Sequence, residues 1–222
     1  MGMRILYEDD VLFVVDKPAG MLVLPDQPQA TLDLTSRLNA QFQEKGLAVR
    51  ARPCHRIDKE TSGLVLFAKS KQMQQRLMDL FRRRRVEKIY LAFIHGRLPA
   101  VSGELKSYIR DTWPYTRSGP AKLAVTRYHV LSRGKSFSAV RLELMTGRTN
   151  QIRIQFSQEG HPLVGERRFA RARDFDLTFR RAALHAWKMR LQHPITGADL
   201  RWEAEVPADM QEFLRGQGVR LP

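Results

Sequence analysis

The 222-residue sequence has a single cysteine, Cys54, and no long apolar run. One thiol cannot form an internal disulfide or supply a four-cysteine zinc site. The first residues, MGMRILYEDD, lack the apolar stretch of a signal peptide, and no segment approaches the roughly 20 apolar residues that cross a bilayer. These absences predict a protein of the reducing cytoplasm that has no membrane partner.

Negative charge is also scarce, because 23 Asp and Glu residues face 38 Lys and Arg residues and leave a formal net charge of +15. The cations are spread along the chain and are not gathered in one tail. Clustered cations bind polyanions well because each neutralised phosphate releases condensed counterions. The charge therefore favours a nucleic acid as partner, and a basic protein without such a partner is the alternative.

Hydrophobic periodicity predicts an α+β domain built on a mixed, largely antiparallel sheet. The predicted strands are an opening hairpin in ILYEDDVLFVVDKPAG, Leu64–Ala68, Lys88–Gly96, TRYHVLSR, FSAVRLELM, LHAWKMRLQHP and LRWEAEVP. The predicted helices are Thr31–Gln43, a second with the stripe Met73, Leu77 and Leu80 or Phe81, a short one capped by Thr149 or Asn150 and closed by Gly160, and Ala208–Leu214. No repeat, linker or composition break interrupts them, so residues 1–222 are predicted to form one domain.

The segment CHRIDKETSG crowds ionisable side chains ahead of a buried strand. A kinase catalytic loop also contains His, Arg and Asp, but there Asp follows Arg directly, whereas Ile57 intervenes here and no Gly-rich loop precedes it. His55 and Asp58 have no further ligands at metal-binding spacing, so no metal site is predicted. Cys54 and His55 are adjacent and would point to opposite faces of an extended segment, which excludes a nucleophile–base pair.

Local sequence alone favours a structural role for Asp58. Its carboxylate can accept hydrogen bonds from the backbone of Thr61 or Ser62 and can pair with an arginine, as a loop cap does. A catalytic role needs support from a wider pattern in the chain.

Six motifs supply that pattern, namely DKPAG, HRIDKETSG, VEKIYLA, TGRTNQIRI, GHPLVGE and LHAW. In the same order they resemble motifs of the RluA-like family of RNA pseudouridine synthases, and they span about Ile5 to Pro207. Two positions depart from the family pattern: Asn150 replaces its usual histidine and Glu166 its usual aspartate. The resemblance implies the pseudouridine synthase fold, in which the active-site cleft crosses a central sheet flanked by helices and loops. It also implies a catalytic domain without the amino-terminal S4 RNA-binding domain of some members.

The resemblance implies that Asp58 is the essential aspartate of an isomerisation that detaches uracil from ribose through nitrogen and rejoins it through carbon. The carboxylate can attack the sugar or remove a proton to give a glycal, and the sequence leaves both routes open. Arg153 matches the arginine that pairs with this carboxylate and keeps it ionised. Tyr90 matches the tyrosine that stacks on the base and is implicated in removing its proton, with a strand-core residue as the alternative.

The resemblance also assigns residues to RNA binding. A uridine within structured RNA must flip out to reach a cleft, and Arg56 is expected to enter the space that the base leaves. His55 beside it is expected to contact RNA as well. The expected phosphate contacts are Arg148, Lys88, Arg82, Arg83, Arg84 and Arg85. A solvated helix end is the alternative for the four-arginine run.

The predicted protein is thus an RNA pseudouridine synthase that acts without a cofactor or metal, as a monomer, on stem-loops of tRNA or 23S rRNA. A non-catalytic RNA chaperone or ribosome-assembly factor with the same basic cleft is the alternative. The set of Asp58, Tyr90 and Arg153 favours the enzyme, because a pure binder gains nothing from a carboxylate that repels phosphate.

Overall fold

A computed structural model describes residues 3–25, 33–110, 119–170 and 177–221. These residues form two compact units. The first contains the described residues up to Lys88 together with Ala186–Glu205, and the second contains those of Ile89–His185 and those from Val206 onward. No described helix has the length and apolar character needed to cross a membrane. The assignment of residues 1–222 to one domain stays a prediction.

The first unit is built from antiparallel strands around a fully buried one. Its strands are β1 (Arg4–Glu8), β2 (Leu12–Lys17), β3 (Arg52–Pro53), β4 (Ser62–Ala68) and β10 (Asp199–Glu203), with most of β9 (Leu184–Gln192). β2 pairs with β1 and β4, β3 also pairs with β4, and β10 pairs with β9. All residues of β4 are buried, which explains why its sequence is a continuous apolar run without alternation. The predicted opening hairpin and buried strand are confirmed.

Two helices of the first unit follow the predicted spacing. α1 (Leu34–Glu44) buries Leu34, Leu38 and Phe42 and begins at Asp33, whose carboxylate accepts the Ser36 N–H. α2 (Lys71–Arg82) buries Met73 and Leu77 and begins at Ser70, whose hydroxyl accepts the Met73 N–H. The predicted helix from Thr31 extends over residues 31 and 32, which lie outside the described part of the chain.

The second unit contains an antiparallel sheet and the remaining helices. Its elements are most of β5 (Glu87–His95), then β6 (Ser102–Ile109), β7 (Lys122–Arg133), β8 (Phe137–Leu144), α3 (Gln151–Gln158) and α4 (Ala208–Gly216). The sheet runs in the order β5, β8, β7, β6. β6 was not predicted, because its sequence SGELKSYI alternates with few apolar residues and its strand form depends on pairing with β7. The predicted α+β class with a largely antiparallel sheet is confirmed.

The start of α3 differs from the prediction. Asn150 occupies the capping position, but its side chain makes no capping hydrogen bond and its backbone is left-handed, with φ 54°. The prediction of a side-chain cap from Asn150 is therefore wrong, and the reason is a competing partner for its amide. The predicted end is confirmed, since Gly160 has φ 79° and donates its N–H to Ser157 O at 3.2 Å.

Candidate active site

The loop that contains Asp58 begins at a rigid point beside β4. Cys54 N–H donates to Leu66 O at 2.9 Å, and Leu66 N–H donates to His55 Nε2 at 3.0 Å. The His55 ring also packs on Phe81 of α2, with 4.7 Å between ring centroids. Because Nε2 accepts a hydrogen bond, the proton of the neutral ring belongs on Nδ1. His55 thus fixes the start of the loop, and its expected contact with RNA stays a prediction.

The residue after Asp58 is tied to the end of β2. Lys59 O accepts the Gly20 N–H at 2.8 Å and the Lys17 ammonium at 3.3 Å. Lys17 is completely buried, and its ammonium also donates to Pro18 O at 3.0 Å and Met21 O at 2.7 Å. The sequence predicted no role for Lys17, although it lies in the DKPAG motif. The structure makes it the link between that motif and the Asp58 loop.

The far side of the loop is closed by a turn and a glycine. Thr61 N–H donates to the backbone oxygen of Asp58 at 3.1 Å. Gly63 has φ 108°, and a Cβ there would overlap the Ala186 carbonyl oxygen, so no other residue fits. Asp58 itself is half-buried. The chain therefore holds a partly accessible carboxylate between fixed backbone points on both sides.

The ionisable groups beside this loop have shifted pKa values. Burial, with a smaller effect from Lys88, lowers the pKa of His55 to about 3, so its ring is neutral at physiological pH. Burial and then the nearby Arg84 lower the pKa of Lys88 to about 8. Lys88 is still largely protonated at pH 7 and loses its charge in mildly alkaline solution. It is the one predicted phosphate contact whose charge would change near physiological pH.

The four-arginine run forms an exposed basic end of α2. All four side chains lie on the surface, and Arg82 forms an ion pair with Asp79 at 2.6 Å. Arg84 has a left-handed backbone, with φ 58°, and ends the helix where glycine is usually found. Arg56 of the Asp58 loop is exposed as well. The placement of these side chains is compatible with RNA contact, which stays a prediction.

In the second unit, Tyr90 and α3 lie on the same side of the sheet. Tyr90 of β5 and Tyr128 of β7 are both register partners of Leu142 in β8, and residues directly opposite one another share a face. Tyr128 contacts Phe156 of α3, with ring centroids 6.1 Å apart. Tyr90 exposes 7% of its surface. This side of the sheet therefore presents Tyr90 together with the helix that bears Arg153.

Two glutamines fasten α3 to β7, and sequence reasoning missed both. Gln151 donates its amide to Val125 O and Thr126 Oγ1, and its oxygen accepts from the Thr146 hydroxyl and the Arg148 N–H. One turn later, Gln155 accepts from Thr126 Oγ1 at 2.6 Å and donates to two strand carbonyls. The Arg148 guanidinium donates to Leu123 O at 3.4 Å. The sequence signal for this attachment was that Gln151 and Gln155 are polar residues on the buried face of a short helix.

Arg153 is buried and forms an ion pair inside the second unit. Its Nε donates to Glu166 Oε2 at 2.5 Å and its Nη2 to Glu166 Oε1 at 2.9 Å. Its Nη1 donates to Asn150 Oδ1 at 3.2 Å. The expected pairing of Arg153 with Asp58, which lies in the other unit, stays a prediction.

The predicted residues are divided between the two compact units. His55, Arg56, Asp58, Lys88 and Arg82, Arg83, Arg84 and Arg85 lie in the first unit, and Tyr90, Arg148 and Arg153 lie in the second. Across residues 3–25, 33–110, 119–170 and 177–221, no group of three or more His, Cys, Asp or Glu side chains is arranged to hold a metal ion. The arrangement can supply a carboxylate, a phenol and several cations.

Comparison with known proteins connects this arrangement to a family. The sequence profile of the family described as RNA pseudouridylate synthase matches residues 11–158. The chain is 36% identical to the uncharacterized RNA pseudouridine synthase YlyB of Bacillus subtilis, over 96% of this chain and 72% of that protein. It is 34% identical to ribosomal large subunit pseudouridine synthase D of Nitrosomonas europaea, over 96% of this chain and 64% of that protein.

The fold is similar to that of a solved human protein. The structure of human RNA pseudouridylate synthase domain containing 4 superimposes with a TM-score of 0.81 at 26% sequence identity. The match covers 98% of this chain and 94% of the human chain. The similarity therefore extends over both compact units and includes the elements that bear Asp58, Tyr90 and Arg153.

Proposed function

This chain belongs to the RNA pseudouridylate synthase family, and we propose that it converts specific uridines of structured RNA into pseudouridine with Asp58 as the essential carboxylate. Membership confirms the resemblance inferred from the six motifs. The observation that supports the assignment of Asp58 best is its setting, a half-buried carboxylate between backbone points fixed by Gly20 and Leu66. Such fixation is what a group needs if it must meet one atom of a flipped nucleotide.

Asp58 acts at the ribose in this proposal. The bond from N1 of uracil to C1′ breaks, and the electron pair leaves with the base, so positive character develops at the sugar. A carboxylate can stabilise that charge, add to C1′, or take the proton that yields a glycal. The uracil then turns and its C5 bonds to C1′, after which the C5 proton is lost and N1 is protonated. Atoms and electrons balance within the substrate, so the product is an isomer.

Tyr90 and Arg153 support these steps in the second unit. Tyr90 contacts the detached base, and its phenol is the group proposed to accept the C5 proton, directly or through water. Arg153 supplies the positive charge that keeps Asp58 ionised in a partly desolvated site. Both lie on the α3 side of the sheet, which supports a shared role at one substrate.

The basic groups of the first unit are proposed to hold the RNA. The target nucleotide leaves its stack at a cost of about a few kcal/mol, and the planar guanidinium of the exposed Arg56 can replace the lost stacking. Phosphates are held by Lys88, by Arg148 and by the four-arginine run. We propose rRNA or tRNA stem-loops as substrates of a cytoplasmic monomer. The relative named for the ribosomal large subunit supports rRNA first. Mapping pseudouridines in RNA from a deletion strain identifies the target.

Turnover is expected to persist in EDTA without added nucleotide or metal, because an isomerisation consumes no second substrate and transfers no electron to an acceptor. The test measures tritium release from RNA labelled at C5 of uridine, after prefolding the RNA so that magnesium does not act through RNA structure. Full release in EDTA agrees with this prediction. A requirement for zinc, or for magnesium with the prefolded RNA, contradicts the proposed chemistry.

Replacement of Arg82, Arg83, Arg84 and Arg85 by glutamine is expected to weaken RNA binding and flatten its salt dependence. The log–log slope of affinity against salt should fall by roughly 0.7 to 0.9 for each phosphate that the variant no longer neutralises, while turnover at saturating RNA stays nearly unchanged. Arg215→Gln, at the exposed end of α4, controls for the removal of any surface cation. Equal slopes for the quadruple variant and the wild type would identify the run as a solvated helix end.

A further inference from the structure

Helix α2 and the three residues after it carry an unbalanced set of charges. The single anion of this segment is Asp79, and its six cations are Lys71, Arg76, Arg82, Arg83, Arg84 and Arg85. The cations of α1 and α4 are each accompanied by at least one acid in the same helix, and the one charged residue of α3 is paired inside the protein. Helix formation does not explain the excess on α2, because glutamate supports a helix as well as lysine or arginine does and opposite charges four residues apart add stability.

The excess charge lies on the side of α2 that faces away from the core. Met73 and Leu77 are buried beneath the helix, and the Gln74 amide donates to Pro53 O at 2.8 Å, so the inner side is fixed. At 3.6 residues per turn, the exposed residues form two neighbouring rows. One row is Lys71, Gln75 and Arg82, and the other is Gln72, Arg76 and Arg83. These six residues are called the basic face of α2.

Most of the basic face is not neutralised by the protein. Arg82 pairs with Asp79 at 2.6 Å. The side chains of Lys71, Arg76 and Arg83 form no ion pair or hydrogen bond with any residue that the structure describes. Such cations are suited to phosphates, because each phosphate that they neutralise releases condensed counterions. The glutamines between them can donate and accept hydrogen bonds, as contacts with ribose hydroxyls require.

The basic face extends away from the loop that contains Asp58. Phe81, near the carboxyl end of α2, packs on His55 at the start of that loop, with 4.7 Å between ring centroids. From this end the 12 residues of the helix extend over about 18 Å, at about 1.5 Å per residue. One strand of B-form DNA has a phosphate about every 3.4 Å along its axis, so a face of this length can follow roughly five phosphates. Lys71, at the far end, is therefore beyond the reach of a single flipped nucleotide.

We propose that the basic face of α2 binds the phosphate backbone of the base-paired stem next to the target uridine, with Lys71 and Arg76 as contacts beyond the four-arginine run. The proposal rests on the proposed function, because it places the target nucleotide at the Asp58 loop. A paired stem fits better than a single strand, since single strands are held by bases that stack on exposed aromatic rings. The one aromatic residue of α2 is Phe81, and its ring packs on His55. The substrate class is therefore a loop carried on a stem, and not a loop alone.

RNA binding by Lys71→Gln/Arg76→Gln tests the proposal. The probes are two synthetic RNA hairpins with the same uridine-containing loop, one with a stem of a full helical turn and one with a stem of half a turn. For the long stem, we expect the log–log slope of affinity against salt to fall by roughly 1.4 to 1.8, because two phosphates lose their cations. For the short stem, the slopes of the variant and the wild type should agree, since that stem ends before these two residues.

A second double variant controls for the loss of net charge. Arg37→Gln/Lys45→Gln removes the same charge from exposed positions of α1 in the same unit and should leave the slope for the long stem near that of the wild type. An equal loss in this control, or an unchanged slope in Lys71→Gln/Arg76→Gln, would overturn the proposal. A loss of the same size with both hairpins would place the contacts at the loop and overturn the assignment to the stem. Thermal unfolding establishes that the variants are folded, and the single variants replace a double variant that is not.

The binding test does not depend on turnover, so it can fail separately from the proposed function. If the wild-type protein released no tritium from any folded RNA, the function would be wrong, whereas a slope that depends on stem length would still support the basic face as a site for paired RNA. If the wild type released tritium and Lys71→Gln/Arg76→Gln kept the wild-type slope on the long stem, only the role of the basic face would be wrong.

Discussion

Asp58→Asn is expected to abolish pseudouridine formation while RNA affinity stays equal or rises. Asparagine keeps the size and hydrogen-bonding shape of the side chain but cannot add to the sugar or stabilise positive charge there. Affinity can rise because one negative charge that repels phosphate has been removed. The measurements are tritium release from C5-labelled RNA under single-turnover conditions and RNA binding by the same preparation.

The loop-cap alternative predicts a different outcome for this variant. Asparagine caps nearly as well as aspartate, so activity would persist with a small change in stability. Release above about one per cent of the wild-type rate, a barrier increase of less than about 2.7 kcal/mol, would defeat the catalytic assignment. Asp10→Asn is the matched control, since Asp10 is an exposed aspartate in the β1–β2 turn and should be dispensable. Thermal unfolding of both variants shows whether lost activity reflects lost structure.

Lys17→Met is expected to lower both stability and turnover. Methionine fills a similar volume but leaves the carbonyls of Pro18, Met21 and Lys59 without their charged donor. Each buried carbonyl that loses its donor costs about 1 to 3 kcal/mol. Because the surrounding backbone can relax and give some of these carbonyls new partners, we expect the free energy of unfolding to fall by about 3 kcal/mol in total. Urea unfolding measures this loss. The rate should fall as well, because the backbone next to Asp58 loses one of its two donors.

The control for this prediction is a neighbouring lysine. Lys59→Met changes an exposed side chain of the Asp58 loop and leaves its backbone oxygen in place, so stability and rate should stay near wild type. A loss below about 0.5 kcal/mol in Lys17→Met would contradict the role assigned to its ammonium, since that is the range of ordinary surface substitutions. Lowered stability with an unchanged rate would show that the loop holds Asp58 without this link.

Elements with strong apolar periodicity could be predicted from the sequence. The opening hairpin, β4, and helices α1 and α2 follow from runs or stripes of residues such as Leu64, Leu34 and Leu77, because burial decides those positions. β6 could not, since its strand form comes from pairing with β7 and only half of its residues face the interior. The motifs identified Asp58, Tyr90 and Arg153 by resemblance, and their roles stay predictions.

The support around the site could not be predicted, because it depends on partners far along the chain. A lysine at the end of a strand is normally exposed to solvent, yet Lys17 is buried and its ammonium donates to three backbone carbonyls. Asn150 at a helix start indicates a cap, but Arg153 takes its amide oxygen. Glu166 lies 13 positions from the arginine that it holds, and no local pattern connects them.

The hydrogen bonds from Gly20 and Lys17 to residue 59 reach only its backbone oxygen. The side chain at this position can therefore be replaced by one that carries a spectroscopic label. Cys54 is 5% exposed and burial raises its pKa to about 12, so it should resist thiol reagents. A Lys59→Cys variant would then present one reactive thiol, because the only other cysteine of the chain is the buried Cys54. A fluorophore there would sit one residue from Asp58, at a point whose backbone is fixed, and could report nucleotide entry in real time.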